Sequence, residues 1–275
     1  MPEISYVVEG RVRPHLGRKV RELWAFRDTA FAFAERNIRV QYKQAVLGIA
    51  WAVIQPLISM AIFTIAVGHL ANVKGGAGVP YAAFALSVQV PWAFLQSTVS
   101  TGATATIGNS AMVRKVYFPR EVLVFGSTLS SAVSLAIGFG LFLLLAPIVH
   151  AHISLWWLVL PALALALAVV GVGISLALAA FSVYYRDFGY VIPFALQAWW
   201  VASTAVPLGN LGRWRQLFAI WNPVAGILDS FRRVVAAGTA PDLGLVLLSL
   251  AQALVLITAG YWIFKRLEPN FSDVA

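Results

Sequence analysis

Three groups of uncharged polar and aromatic residues stand out in stretches that are otherwise apolar. Trp51, Gln55 and Ser59 recur at i, i+4, i+8. Gln89, Trp92 and Gln96 recur at i, i+3, i+7, as do Gln197, Trp200 and Thr204. On a helix each spacing gathers its members on one side. Their chemistry suits a neutral, hydroxyl-rich ligand. Aromatic rings meet the C–H faces of sugar rings, and carboxamides and hydroxyls bond sugar hydroxyls. The same residue types at the same spacing also make hydrogen bonds between helices in a membrane, so a ligand path and helix packing both stand at this level.

Chemistries that need charged or metal-binding side chains lack their residues. The stretches long enough to cross a membrane contain no carboxylate and no lysine, which argues against a proton-coupled carrier. None of the lysines is followed by Ser or Thr. There is thus no G-x-x-x-x-G-K-[ST] cradle for nucleotide phosphates, and ATP with its Mg is expected on a separate polypeptide. No H-E-x-x-H occurs, and His15, His69, His150 and His152 form no metal-ligand pattern. With no cysteine, disulfides and thiolate sites are excluded. A glycan-polymerising or lipid-modifying enzyme would need buried carboxylates or histidines that these stretches do not offer. The chain is expected to be no enzyme and to carry no cofactor or metal of its own.

The elements that would position the stripes are membrane helices. Sixty per cent of the 275 residues are hydrophobic and 11% are charged, against about a quarter charged in a soluble domain. The net charge of +9 is gathered at the ends of apolar stretches, a membrane pattern rather than a nucleic-acid one. Windows free of Asp, Glu, Lys and Arg run over 45–73, 75–113, 122–185, 188–212 and 243–264. A crossing takes roughly 20 residues. The third window would be about 96 Å of continuous helix, and Pro147 with the polar stretch 150–154 divides it. Six spans follow, near 46–70, 81–111, 122–147, 155–183, 190–206 and 242–264. The second is overlong, and its Ser-, Thr- and Gly-rich second half predicts close packing through small residues.

Loop charge sets the orientation. Basic residues concentrate before the first span, at Arg114, Lys115 and Arg120, at Arg186, and at Lys265 and Arg266. Both termini are therefore expected in the cytoplasm. The outside loop 208–241 resists the rule, since it carries Arg213, Arg215, Arg232 and Arg233. The first 43 residues hold no apolar core of the signal-peptide type, so no cleavable signal is expected.

Two cytoplasmic segments have further character. Residues 21–43 fit an amphipathic helix, with Phe26, Ala30, Phe31, Phe33, Ala34 and Ile38 on one side and Arg21, Asp28, Glu35, Arg36, Arg39 and Lys43 on the other. That pattern suits a helix lying in the membrane interface. Between spans two and three, residues 109–121 present Arg114, Lys115, Tyr117, Phe118, Arg120 and Glu121. They read either as an exposed docking knob or as aromatics anchored in the interface.

At this point the sequence resembles a known family, the permeases of type-2 ABC exporters that move lipid-linked polysaccharides such as O-antigen, capsule, teichoic acid and galactan. Four blocks carry the resemblance: Arg39-Val-Gln-Tyr-Lys-Gln-Ala-Val-Leu-Gly48 continuing through Trp51 to Gln55-Pro56; Lys-Val-Tyr-Phe-Pro-Arg-Glu at 115–121; Tyr185-Arg-Asp187; and Asn222-Pro223 through Phe231-Arg232 to Gly260, Phe264-Lys-Arg-Leu-Glu268, Phe271 and Asp273. The order and spacing of the blocks, which together cover nearly the whole chain, give the match its specificity. Pro-Leu-Gly-Asn at 207–210 departs from the Pro-Val-Tyr common there.

The resemblance implies an all-α integral membrane fold. A cytoplasmic segment 1–43 would carry a gate helix with Trp24, Phe31, Glu35, Arg36 and Arg39. A six-span domain would occupy 44–264, and a cytoplasmic tail 265–275. A coupling helix over 112–121 would dock on the ATPase through Arg114, Lys115, Tyr117, Phe118, Pro119, Arg120 and Glu121. Short re-entrant periplasmic helices would hold Asn222, Pro223, Asp229 and Arg232, with Asn222 as N-cap and Pro223 at N1. The working unit would be a homodimer with two ATPase subunits in the bacterial inner membrane. It would bind no nucleic acid and would move a polyprenyl-linked polysaccharide to the periplasmic side. Exporters of small lipids or drugs usually add a larger extracellular domain.

Overall fold

The computed structural model describes residues 21, 23–42, 50–65, 81–110, 112, 118–148, 154–204 and 208–271, and every regular element among them is helical. Helix α1 (Arg27–Tyr42) has Asp28 in its first turn and Arg39 in its last, which complements the helix dipole at both ends. Next come α2 (Trp51–Phe63), α3 (Tyr81–Gly108), α4 (Glu121–Leu145), α5 (Leu160–Tyr184), α6 (Phe188–Thr204), the short α7 (Arg215–Trp221) and α8 (Ala225–Phe231), and α9 (Leu243–Leu267).

Among the described residues, three stretches are long and apolar enough to cross a membrane: Glu121–Leu145, Leu155–Tyr184 and Leu243–Leu267, with mean hydropathies of 2.0, 2.5 and 2.2. The middle one opens as a 3-10 turn, Leu155–Val159, and becomes α-helical where Pro161 sits in the first turn, a position that needs no N–H. Helix α3 has 28 residues, about 42 Å, and falls below the other three in hydropathy because Ser and Thr crowd its second half. The expected first span extends at both ends into 43–49 and 66–80, outside the described residues.

Helices α3, α5 and α9 pack side by side, with α4 against α3. Small residues set the closest approaches, as expected where lipid gives helices no hydrophobic reason to associate. At the α5–α9 crossing a methyl group on Gly260 would run into the backbone carbonyl of Gly173. At Gly126 of α4 a methyl would meet the Phe33 side chain and the Ala30 carbonyl of α1 at 2.9 and 3.0 Å. One face of the polar half of α3 packs closely, while Thr101 and Thr104 are exposed: the Ser175 hydroxyl donates to the Thr98 carbonyl at 3.1 Å, and Ser97 and Ser131 share a bond of 2.9 Å.

The segment after α6 is a chain of short helices rather than an extended loop. A 3-10 stretch, Leu208–Trp214, kinks at Gly212 (φ 50°), a left-handed conformation that glycine adopts without steric cost. Helices α7 and α8 follow, and α8 widens into a π-turn over Arg232–Ala236. The helix expected over 112–121 is corrected at its end. Residues 118–120 are not helical, because Pro119 disfavours helical backbone at Phe118. Residues 113–117 lie outside the described residues.

Candidate functional site

Helices α2, α3 and α4 enclose an open cavity of about 860 Å³. Trp51, Gln55 and Ser59 line it from α2, and Gln89 and Gln96 from α3. The wall also takes in Ser97 and Ser100 from the Ser-rich half of α3, Ser134, which no sequence pattern singles out, and Gln41 from the end of α1. Among the described residues, every polar group on the wall is an amide, a hydroxyl or an indole N–H. These residues offer hydrogen bonds and flat apolar faces and bring no fixed charge with which to hold an ion.

The stripe on α3 is thus split. Gln89 and Gln96 face the cavity on either side of Ala93, and Trp92, one residue and about 100° away, turns into the core. It is 1% exposed and packs edge-on against Trp199 at 5.5 Å. The expectation that Trp92 lines the path is corrected. The stripe on α6 does not join the cavity within one protomer. Gln197 is exposed on an outward face with Tyr190, Phe194 and Val201. Trp200 leans on the main core, and the Thr204 hydroxyl donates back to the Trp200 carbonyl at 2.8 Å.

The positions expected on the periplasmic side form a second, charged cluster. The Asn222 carboxamide accepts from Trp199 Nε1 at 3.1 Å, donates to the Ser203 hydroxyl at 2.8 Å, and accepts from the Val224 N–H at 3.3 Å. The last bond closes a local turn and is not the helix cap expected of Asn222, because Val224 takes the N-cap position. The regular helix starts three residues later, at Ala225, after a turn through Pro223 and Val224. Arg232 is buried. It donates to the Thr204 carbonyl at 2.8 Å and lies over the Phe84 ring at 4.5 Å. Asp229 takes Arg233 at 3.0 Å, and Asp242 takes Arg215 at 2.5 Å. Two of the arginines that broke the loop-charge rule are thus committed to carboxylates, and a third to a backbone carbonyl.

At the opposite end the knuckle is built inward. Phe118 is 5% exposed and meets Phe33 of α1 at 6.1 Å, inside a cluster with Ala30, Val122 and Leu123. Pro119 is buried, and Glu121 is 2% exposed with Oε1 2.6 Å from Lys265 Nζ. Arg120 donates to the Glu268 carbonyl at 2.6 Å and covers the Phe271 ring at 5.5 Å. Burial raises the Glu268 carboxyl above the ordinary carboxylate range, with Lys265 opposing. The expectation of an exposed knob is therefore corrected for Phe118, Pro119 and Glu121. Of residues 118–121, Arg120 alone is partly open. Arg114, Lys115 and Tyr117 lie outside the described residues.

On α1 the apolar face is divided. Ala30, Phe33 and Ala34 are buried against α4, while Trp24 and Phe31 remain exposed. Arg36 donates to Asn109 Oδ1 at 2.5 Å, tying α1 to the end of α3, and Arg39 pairs with Glu35 on the outer face. Among the described residues no group of His, Asp and Glu is arranged to hold a metal; His150 and His152 are not among them.

Residues 29–235 match the family described as ABC-2 type transporter. The chain belongs to that family. It is a membrane-integral permease, and membership in an ABC transporter family implies an ATPase subunit as its partner. Two curated relatives are similar over nearly their whole length. The O-antigen export system permease protein RfbA of Myxococcus xanthus is 24% identical over 261 residues, covering 93% of this chain and 98% of the relative. An RfbA permease of Klebsiella pneumoniae is 19% identical over 250 residues, covering 90% and 95%. The permease positions that sequence reading missed, Ser134, Asp242 and Lys265, come from other elements than the ones they serve. The one local signal was Asp242 immediately before an apolar run, where it caps α9 by accepting from the Leu245 N–H at 3.3 Å.

Proposed function

We propose that this chain is the membrane subunit of an ATP-driven exporter that carries a polyprenyl-linked polysaccharide from the cytoplasmic to the periplasmic side of the inner membrane. The observation that carries the reading is the cavity. Its described wall of carboxamides, hydroxyls and one exposed indole brings no charge and fits a glycan better than an ion, a peptide or a proton relay. The relatives named as O-antigen export permeases, matched over nearly their whole length, support the same substrate class. In this reading six spans cross the membrane with both termini cytoplasmic. A second copy of the chain faces the open side of the cavity. Two ATPase subunits supply ATP and Mg, and the permease itself catalyses no reaction.

Gln55, Gln89 and Trp51 contact the moving glycan, and α1 stands at the cytoplasmic entrance. Residues 112–121 receive the ATPase. The packed Phe118, Pro119 and Glu121 fix the end of that segment against α1 and α9, and Arg114, Lys115, Tyr117 and Arg120 supply the contact. The test is surface display of the glycan in cells whose only permease is this chain, beside lipid-linked glycan retained inside. Gln55→Leu and Gln89→Leu together should leave the permease in the membrane and the glycan inside. Normal display by that variant would remove the cavity from the path.

A further inference from the structure

We propose that α9 is a strut that carries motion from the ATPase-docking segment to the exit-side helices, fastened at each end by an ion pair. The inference rests on the exporter reading above. It concerns Lys265 and Asp242, neither of which faces the cavity or the docking segment's outer surface.

The near fastening is Glu121 with Lys265. Glu121 is the first residue of α4 and follows the docking segment directly, so a displacement of that segment moves its carboxylate. Lys265 Nζ sits 2.6 Å from Glu121 Oε1 and 2.8 Å from Glu268 Oε2. Arg120 adds its bond to the Glu268 carbonyl at 2.6 Å. The start of α4 and the end of α9 are thereby one unit, and the burial of Glu121 keeps the pair from the salt screening that weakens exposed charges.

The strut itself is 25 residues without proline, about 37 Å long. The contact of Gly260 with the Gly173 backbone lets it slide or tilt along α5 but leaves no room for a change of spacing. Packed elements of this kind respond by discrete shifts rather than by bending.

The far fastening is Asp242, the cap of α9. Its Oδ2 lies 2.5 Å from Arg215 of α7 and 3.9 Å from Arg233. Gly226 of α8 lies against the Leu245 backbone of α9. Gln252 of α9 donates to the Ala219 and Ile220 carbonyls of α7 at 3.1 and 2.6 Å. Both short exit-side helices are therefore held by the first three turns of α9, and a shift of α9 reaches them directly.

The natural chain has no cysteine, so a single Ser230→Cys reports on the exit side. Ser230 is fully buried in α8. The complex of permease and ATPase is treated with a maleimide, with and without ATP and orthovanadate. In the reporter protein, nucleotide should change the labelling rate by about fivefold or more, the range of ordinary allosteric coupling. Lys265→Met and Asp242→Asn should each abolish the change while ATPase co-purification and basal ATP hydrolysis stay within twofold, and Lys265→Arg should retain it. A residue that merely stabilises the fold would lower yield or melting temperature without selectively removing the nucleotide response. A full response in either neutralised variant overturns the strut, and so does a flat response in the reporter protein while ATP is being hydrolysed. If Lys265→Met does not accumulate, Asp242→Asn decides alone from the other end. Failure of the exporter reading appears elsewhere, as no ATPase complex or no export by the unaltered chain.

Discussion

The polar stripes of α3 and α6 look alike in sequence and do different things in the fold. Gln89, Trp92 and Gln96 share their spacing with Gln197, Trp200 and Thr204. Only Gln89 and Gln96 reach the cavity; Trp92 is core, Trp200 leans on core, and Gln197 points outward. Spacing selects a face of a helix, but what that face meets depends on the neighbour. Helix α3 is the middle of the bundle, covered by α4 and α5 on two sides and open to α2 on the third. Helix α6 is an outer element with a single covered side. The same trio of residues can line a path only where two other helices stand back from it.

The sharpest way to break this comparison is within the tryptophans. Trp92→Ala should lower stability by about 3–5 kcal/mol, as truncation of a buried tryptophan does, and show as an early thermal transition in detergent. Trp51→Ala, at a half-exposed wall position, should melt near the parent protein and stop glycan display. Equal destabilisation by the two would return Trp51 to helix packing. Next in size is the crossing that holds the bundle around α3. Gly260→Val would drive a side chain into the Gly173 backbone, and overpacking of that kind costs about 1–3 kcal/mol. Melting that matches the parent would mean that α5 and α9 separate freely.

The comparison is sharpened by single carboxamides. Gln55→Leu or Gln89→Leu should cut export roughly five- to tenfold, the worth of about one hydrogen bond each, without a change in melting. Smallest is Gln197→Leu, within about 0.5 kcal/mol in stability, as is usual for exposed positions, and with less effect on export than Gln55→Leu. A larger loss of export at Gln197 would show that a second copy brings α6 to the path.

Part of the architecture is legible in the sequence: three of the six expected spans fall, within a few residues of their bounds, on described helices long and apolar enough to cross a membrane, because a long charge-free window favours such a helix. The cavity is half legible. The α2 stripe lines it as its spacing suggests, yet Ser134 of α4 and Gln41 of α1 give no such sign, since nothing near them in the chain points to α3. The charged exit segment reads as an exception to loop-charge asymmetry. Its resolution needs Asp242, which is 27 residues from Arg215, and such a pairing has no local signature. The docking segment misleads in the opposite sense. Phe118 and Glu121 look exposed on a short loop, and their partners Phe33 and Lys265 lie more than 80 residues away in either direction.

If the cavity carries a glycan as proposed, the neutrality of its described wall bears on how fast a long chain could travel. A charged wall would trap any anionic or cationic repeat unit in a deep well, and every unit in turn would have to be pulled out of it. Amides and hydroxyls exchange partners with a passing hydroxyl at nearly constant energy, so the profile along the path is shallow and repeats with each sugar. Throughput needs entry that is favourable and exit that is easy. On the proposed reading, a surface of this kind would act as a low-friction bearing for a hydroxyl-rich chain.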